Sequence, residues 1–119
     1  MIYLIQPQFY QKTIIELIEQ HLGQSHVKTN FQVRHSCPKL NHLLKLNTYF
    51  IINDSQIKDW DGMQIAKQIR KKDKQGLLIL ISDQIDYLTL FRSHLAFLAA
   101  FTISEAPSQI PVYLHNKTP

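Results

Sequence analysis

The stretch FIINDSQIKDWDG, residues 50–62, is the most informative part of the chain. An apolar run stops abruptly at Asp54, and a polar loop then continues to Gly62. The run before the loop, TYFIIND, is apolar on both of its faces, which is typical of a strand in a parallel sheet that helices cover on both sides. A carboxylate at the end of such a buried strand is either a reaction centre or the remnant of one.

The rest of the chain predicts the elements around this strand. Four further strands are predicted from apolar or β-branched runs at residues 2–6, 27–34, 77–82 and 99–104. Helices are predicted where apolar residues recur at intervals of three and four, at residues 8–22, 37–46, 62–72 and 85–95. Five strands that alternate with helices predict the α/β class with a doubly wound parallel sheet.

Ligands of such sheets bind beyond the carboxyl ends of the strands. The sequence therefore predicts a site formed by the residues at those ends, which are Gln6-Pro7, Asn53-Asp54, Ser82-Asp83 and Ser104-Glu105.

Length and composition predict one domain, followed by a short tail. The chain has 119 residues, of which 45% are hydrophobic and 18% charged, as in an ordinary globular protein. No apolar run approaches the roughly 20 residues that span a bilayer, and no signal segment opens the chain. A single cysteine, Cys37, excludes an internal disulfide framework and favours the cytoplasm.

The expected domain covers residues 1–105, and residues 106–119 are expected to form a proline-containing tail or linker. Pro107 can open a short helix at its first turn. Pro111 lies too close to Pro107 for that helix to continue comfortably. A last helix is therefore expected to be short or missing.

The charged and metal-binding residue types give weaker signals. The net charge is +4, and six cations fall within seventeen positions: Lys58, Lys67, Arg70, Lys71, Lys72 and Lys74. They form either a phosphate-binding patch or the solvated end of a helix, and the second interpretation is favoured because no aromatic residues lie among them. None of the six histidines has the spacing of a zinc motif, Cys37 has no CxxC partner, and no GxSxG motif surrounds Ser82.

The order of elements and the residues at the strand ends resemble the CheY-like receiver domain of two-component response regulators, over roughly residues 2–105. In that family a phosphoacceptor aspartate ends an apolar strand, and an Asp-Gly pair follows whose glycine lies eight positions later. Here Gly62 lies eight positions after Asp54 and follows Asp61, and Ser82 ends the fourth strand where the family has a hydroxyl residue.

Residues 86–104, DYLTLFRSHLAFLAAFTIS, resemble most the receivers of LytTR-type transcriptional regulators. The resemblance implies a cytoplasmic module of two-component signalling and phosphorelay, not an enzyme. It implies a sensor histidine kinase or another signalling protein as partner, leaves a homodimer open, and allows DNA binding only through an additional domain.

Two of the family's functional positions differ here. The acidic pair that holds Mg²⁺ is replaced by Gln6 and Pro7, and the lysine that contacts the phosphoryl group is replaced by Ser104. Phosphoryl transfer needs a metal and a cation to neutralise charge on the phosphoryl oxygens, and Asp54 alone supplies neither. The sequence thus predicts a degenerate receiver without a cofactor, in which Asp54 persists as a lone carboxylate bonded to Ser82 or to loop amides.

Two other functions stay open. A working phosphoacceptor would need Asp54, Gln6 and either Asp59 or Asp61 to form an altered Mg²⁺ site. Nucleic-acid binding through the cations of residues 67–74 is the other open function.

Aromatic residues supply the candidate partner contacts. Trp60 either anchors a partner or folds over the emptied pocket, and the second is favoured. In the receiver family, helix 85–95 and strand 99–104 correspond to the surface used for dimerisation and output. Phe91, Phe97 and Phe101 enrich this region, and Phe91 and Phe101 are the predicted contacts.

Overall fold

The computed structural model describes residues 1–23, 30–39 and 46–115, of His115 the backbone only. These residues form five strands, β1 (Ile2–Ile5), β2 (Phe31–Arg34), β3 (Thr48–Asn53), β4 (Leu77–Ser82) and β5 (Ala99–Thr102). They also form four helices, α1 (Thr13–Gly23), α2 (Gly62–Lys72), α3 (Tyr87–Arg92) and α4 (Ala106–His115), and one 3₁₀ turn (Ile103–Glu105).

The five strands form one all-parallel sheet in the order β2-β1-β3-β4-β5. This confirms the predicted fold class. The register places Asn53 beside Ser82, and Ser82 beside Thr102. The carboxyl ends of three neighbouring strands therefore meet at one edge of the sheet, called the carboxyl edge below.

Each face of the sheet carries its own apolar core, which is why β3 and β4 are apolar at almost every position. On one face, strand residues such as Phe50 and Phe101 pack with α1 and α4. On the other face, residues such as Ile51 and Leu80 pack with α2. Full burial of each such side chain contributes about 1.5–3 kcal/mol. None of the helices in the described ranges is long and apolar enough to cross a membrane.

Helix α1 begins at Thr13, five residues later than the predicted start at residue 8. A turn occupies the intervening segment, in which the amide of Tyr10 donates to the carbonyl of Pro7 over 3.3 Å. Phe9 has a φ of 62°, which is left-handed backbone and does not continue into a helix. Tyr10 therefore lies in a loop at the carboxyl edge and not on the apolar face of the helix.

Helix α2 has the predicted limits. Asp61 caps its first turn by accepting a hydrogen bond from the amide of Gln64. Helix α3 is shorter than the predicted 85–95, because Asp86 caps its start and His94 and Ala96 have left-handed φ values of 57° and 56° beyond its end.

Strand β5 ends at Thr102 and not at residue 104, because Thr102 and Glu105 form a capping box that starts the 3₁₀ turn.

The last helix is short, which is one of the two outcomes expected from the prolines, and residues 106–115 therefore do not form a tail or linker. They form α4 with Pro111 inside the helix. Ala106, Ile110 and Leu114 recur at intervals of four and are all buried in the core with α1. Burial of Ile110 and Leu114 at about 1.5–3 kcal/mol each offsets the roughly 3 kcal/mol that an internal proline costs.

Two predicted elements fall partly on residues that the structure does not describe. Of the predicted strand 27–34, residues 31–34 form β2, and residues 27–29 lie outside the described ranges. Of the predicted helix 37–46, residues 40–45 lie outside them, and residues 37–39 belong to no helix or strand.

Candidate functional site

Asp54 follows β3 directly and lies at the carboxyl edge, where both of its carboxylate oxygens accept hydrogen bonds. Oδ2 accepts from the hydroxyl of Tyr10 at 2.9 Å, and Oδ1 accepts from the backbone amide of Gln56 at 3.0 Å. The predicted bond to a loop amide is confirmed. Tyr10 was not among the predicted site residues, because its spacing placed it on the helix.

The phenol of Tyr10 is held in its neutral, donating form. Partial burial is the main cause that raises its pKa to about 12. The hydrogen bond to Asp54 and the negative charges of Asp54 and Asp83 raise this pKa further. Tyr10 therefore donates to Asp54 throughout the physiological pH range.

A second carboxylate, Asp83, stands at the end of the neighbouring strand. It accepts two hydrogen bonds from Ser55, one from the amide at 3.1 Å and one from the hydroxyl. These two bonds hold the pKa of Asp83 below its usual value, and the bond from the Ser55 hydroxyl has the larger effect. The sequence indicates Asp83 only by its position directly after the fourth predicted strand. The prediction named this strand end but gave Asp83 no role.

Ser82 is buried, and its hydroxyl donates to the carbonyl of Asn53 at 2.9 Å. It also accepts from the amide of Gln84 at 3.4 Å. The predicted bond between Ser82 and the Asp54 carboxylate is therefore not the arrangement found. Ser82 instead ties the ends of β3 and β4 together.

Gln6 and Pro7, the residues in place of the family's acidic pair, are both buried. The side chain of Gln6 is 2% exposed, and no described residue hydrogen-bonds its Oε1. Ser104 lies in the 3₁₀ turn, with its hydroxyl 3.0 Å from that of Thr102. None of these three residues carries a charge that could replace the family's carboxylates or lysine.

Gln6, Pro7 and Ser104 offer no carboxylate to Mg²⁺, which requires a nearly octahedral set of oxygens. Within residues 1–23, 30–39 and 46–115, no three His, Cys, Asp or Glu residues come together as a metal-binding group. Asp61 is used as the cap of α2, and Asp59 is exposed with a left-handed φ of 61°. The altered metal site suggested for Asp54, Gln6 and Asp59 or Asp61 stays a prediction.

Trp60 packs on the α2 face of the sheet. Its indole Nε1 donates to the carbonyl of Ile52 at 2.7 Å. The side chain that contacts Asp54 is Tyr10, and the favoured position of Trp60 over the emptied pocket stays a prediction. A role of Trp60 as a partner contact stays a prediction.

The α3–β5 face, defined here by Tyr87, Leu88, Phe91 and Leu98, is an exposed apolar surface. Helix α3 has no buried residue, and Phe91 is 80% exposed. A groove of about 730 Å³ lies between α3 and β5. Such a surface is typical of a protein contact.

The prediction for Phe101 is wrong. Its ring is 4% exposed and stacks on Tyr113 inside the core, with 6.1 Å between ring centroids, so it does not face a partner. Phe97 packs against the core on the α2 face of the sheet.

The basic cluster on α2 is partly structural. Arg70 donates to the carbonyls of Leu95 at 2.9 Å and Gly76 at 2.9 Å, and so connects α2 to the loops before β5 and β4. The other cations within residues 67–74 are exposed: Lys67, Lys71, Lys72 and Lys74. Nucleic-acid binding through them stays a prediction.

The fold is similar to those of solved response regulators. The chain is 17% identical to the phosphorylated cyanobacterial phytochrome response regulator RcpA, with a TM-score of 0.63 over 97% of this chain and 88% of that one. For the Mn²⁺-bound form of the response regulator Rcp1 the identity is 11% and the TM-score 0.65, covering 99% and 95%.

A CheY-like receiver domain protein from Methanospirillum hungatei JF-1 is 10% identical, with a TM-score of 0.67, covering 98% of this chain and 90% of that one. No family model matches the sequence, and no curated protein matches it either. At these identities the likeness concerns the fold alone. Together with the strand order and the position of Asp54, it leads to one conclusion: the chain has the fold of CheY-like response regulator receiver domains.

Proposed function

We propose that this chain is an atypical receiver module of two-component signalling, which acts through protein contacts and not through Mg²⁺-dependent phosphorylation of Asp54. The observation that carries the proposal is the closed state of Asp54, whose two oxygens accept hydrogen bonds from Tyr10 and Gln56. The module is not an enzyme under this proposal and requires no cofactor.

The chemistry of phosphoryl transfer supports this proposal. An aspartate becomes phosphorylated when one of its oxygens attacks phosphorus while a metal ion and a cation neutralise the phosphoryl oxygens. Here Oδ2 of Asp54 is engaged by a hydroxyl that would have to leave first. Gln6, Pro7 and Ser104 supply no charge to the site. Each missing group removes an electrostatic contribution to the transition state.

The α3–β5 face is the proposed contact surface. It exposes two aromatic rings, Tyr87 at 70% and Phe91 at 80%, beside the groove. Aromatic side chains in such positions are frequent anchors of protein interfaces. The proposed partners are a sensor histidine kinase, another signalling protein or a second copy of the chain. A DNA-binding domain of LytTR type, joined to the module, would give control of transcription.

A working phosphoacceptor is the second candidate function. The position of the Asp83 carboxylate favours it. Ser55 holds this carboxylate at the strand end next to Asp54. If Tyr10 moved away, two carboxylates would face the same edge of the sheet. Asp54 would then be the phosphorylated residue, with Mg²⁺ as its cofactor.

Intact-protein mass spectrometry after incubation with acetyl phosphate and Mg²⁺ tests the proposal. The control is Asp54→Asn, which keeps the size of the side chain and removes the nucleophilic carboxylate. We expect no phosphoryl adduct on either protein. An adduct on the native chain that disappears in the variant would contradict the proposal and support the second candidate.

A further inference from the structure

The segment of residues 8–12, between β1 and α1, is attached to the rest of the protein mainly through one side chain. Gln8, Phe9, Gln11 and Lys12 are exposed, and the Phe9 ring is 102% exposed. Tyr10 is the half-buried exception, and it packs against the core on the α1 face of the sheet. Tyr10 therefore decides where this segment lies.

The attachment of Tyr10 has two parts. The ring contacts the apolar core, and the hydroxyl donates to Oδ2 of Asp54 at 2.9 Å. Hydrogen bonds to a charged acceptor are the stronger ones in proteins. Since the other side chains of the segment are exposed, only the packing of the Tyr10 ring holds the segment when the Asp54 bond is lost.

We infer that Tyr10 is a latch, which couples the availability of the Asp54 carboxylate to the order of residues 8–12. A cation or an electrophile that takes Oδ2 of Asp54 displaces the Tyr10 hydroxyl and loosens the segment that presents Phe9. Conversely, a protein that moves the segment frees Oδ2. The two effects are equal in free energy because coupling between sites is reciprocal.

This inference does not rest on the proposed function. The latch operates whether or not Asp54 ever accepts a phosphoryl group, and its test uses no phosphoryl donor. A phosphoryl adduct on the native chain would overturn the proposed function and leave the latch standing. Tyr10 as a packing residue alone is the competing interpretation.

Backbone order parameters from ¹⁵N NMR relaxation separate the latch from simple packing. The variants are Tyr10→Phe, which keeps the ring, Asp54→Ala, and the two combined. Tyr87→Phe is the matched control, because Tyr87 is exposed on the α3–β5 face. We expect the order parameters of residues 8–12 to fall from about 0.85 towards about 0.6 in both single variants. The double variant should show no further fall.

The latch is overturned if either single variant keeps the order parameters of the native chain, or if the two effects add. The control Tyr87→Phe should leave residues 8–12 unchanged. A fall in that control would show that any tyrosine change disturbs the fold, and would equally overturn the assignment to Tyr10.

The reverse direction of the coupling is tested by the chemical reactivity of Asp54. The probe is a water-soluble carbodiimide with an excess of glycinamide, and peptide mass spectrometry measures the amide formed at each carboxyl group. Asp83 is the internal reference, because its oxygens are held by Ser55. We expect Tyr10→Phe to raise the labelling rate of Asp54 relative to Asp83 by roughly tenfold or more, since a hydrogen bond to a charged group contributes at least about this factor in equilibrium. An unchanged ratio would overturn the latch.

Discussion

The hydroxyl of Tyr10 and the carboxylate of Asp54 are joined by a hydrogen bond of 2.9 Å across 44 positions of sequence. The bond connects the loop before α1 with the end of β3, at the carboxyl edge of the sheet. It gives the Asp54 carboxylate a partner without a metal ion. This pair is therefore the natural target for the first experiments.

Asp54→Asn is expected to lower the pKa of Tyr10 from about 12 towards its ordinary value of 10.0. The fall should be partial, because burial is the largest cause of the raised pKa and the substitution leaves it in place. A pH titration of ¹³Cζ-labelled tyrosine by NMR measures it. Asp83→Asn is the matched control, since Asp83 acts on Tyr10 by its charge alone, and should give a smaller fall. An equal or larger fall in the control would contradict the assigned hydrogen bond.

The free energy of unfolding should fall at alkaline pH, partly because the pKa of Tyr10 is raised in the folded state. The folded state keeps the phenolic proton up to about pH 12, whereas the unfolded chain loses it near 10.0. Above pH 10 the folded state therefore binds more protons, and the free energy of unfolding falls as pH rises. Below pH 10 the contribution is fully present.

Urea unfolding of the native chain and of Tyr10→Phe, at pH 9 and again near pH 11.5, tests this sign. The stability advantage of the native chain should shrink at the higher pH. Burial and Asp73 also raise the pKa of Tyr49, but that effect is common to both proteins and cancels. An advantage that stays constant would argue against a raised Tyr10 pKa.

Tyr49→Phe is expected to lower the free energy of unfolding by about 1–3 kcal/mol. In the core, the Tyr49 hydroxyl donates to Oδ2 of buried Asp73 at 2.6 Å, and Asn47 gives that oxygen a weaker bond at 3.3 Å. The substitution removes the stronger of these two hydrogen bonds to the buried Asp73 carboxylate. Urea unfolding measures the loss. Tyr87→Phe, at an exposed position, should change stability by less than about 0.5 kcal/mol.

Gly62→Ala is expected to be destabilising, because an added Cβ would lie 2.5 Å from the carbonyl oxygen of Ile52. The backbone of Ile52 cannot shift away from this Cβ without disturbing β3 and the loop that carries Asp54. The cost should exceed about 1 kcal/mol, within the range for overpacked sites. Gly23→Ala is the control, since nothing lies within 4 Å of its added Cβ. A stable Gly62→Ala variant would show that this close approach is not needed.

Phe91→Asp is expected to abolish association through the α3–β5 face and to leave the fold intact. The ring is 80% exposed, so its loss should change the free energy of unfolding by less than about 0.5 kcal/mol. For a second copy as partner, analytical ultracentrifugation over a concentration series measures the effect. Phe9→Asp, at a ring that is 102% exposed and lies outside the α3–β5 face, is the control and should associate like the native chain. A native chain that stays monomeric throughout would exclude the second copy.

The five strands and helices α1, α2 and α3 were predictable in their order from the residues alone, whereas the helix predicted at residues 37–46 lies mostly outside the described ranges. The runs at residues 48–54 and 77–82 are apolar at nearly every position, which is typical of strands that are covered on both faces. The spacing in residues 62–72 likewise predicts α2. The strand ends then placed Asp54 and Ser82 at one edge of the sheet. Local patterns carry this information because they report burial on each face of an element.

The contacts across that edge were decided by tertiary structure. Spacing alone placed Tyr10 on a helix, but a left-handed turn at Phe9 directs its hydroxyl to Asp54. Phe101 and α4 show the same effect. The Phe101 ring faces inward because it is buried in the core, and α4 continues past Pro111 because its apolar residues are buried there too. A sequence pattern shows which residues are apolar, but not which distant residue meets them. The fold class is therefore a property of local sequence, whereas the closed state of Asp54 depends on a contact 44 positions away.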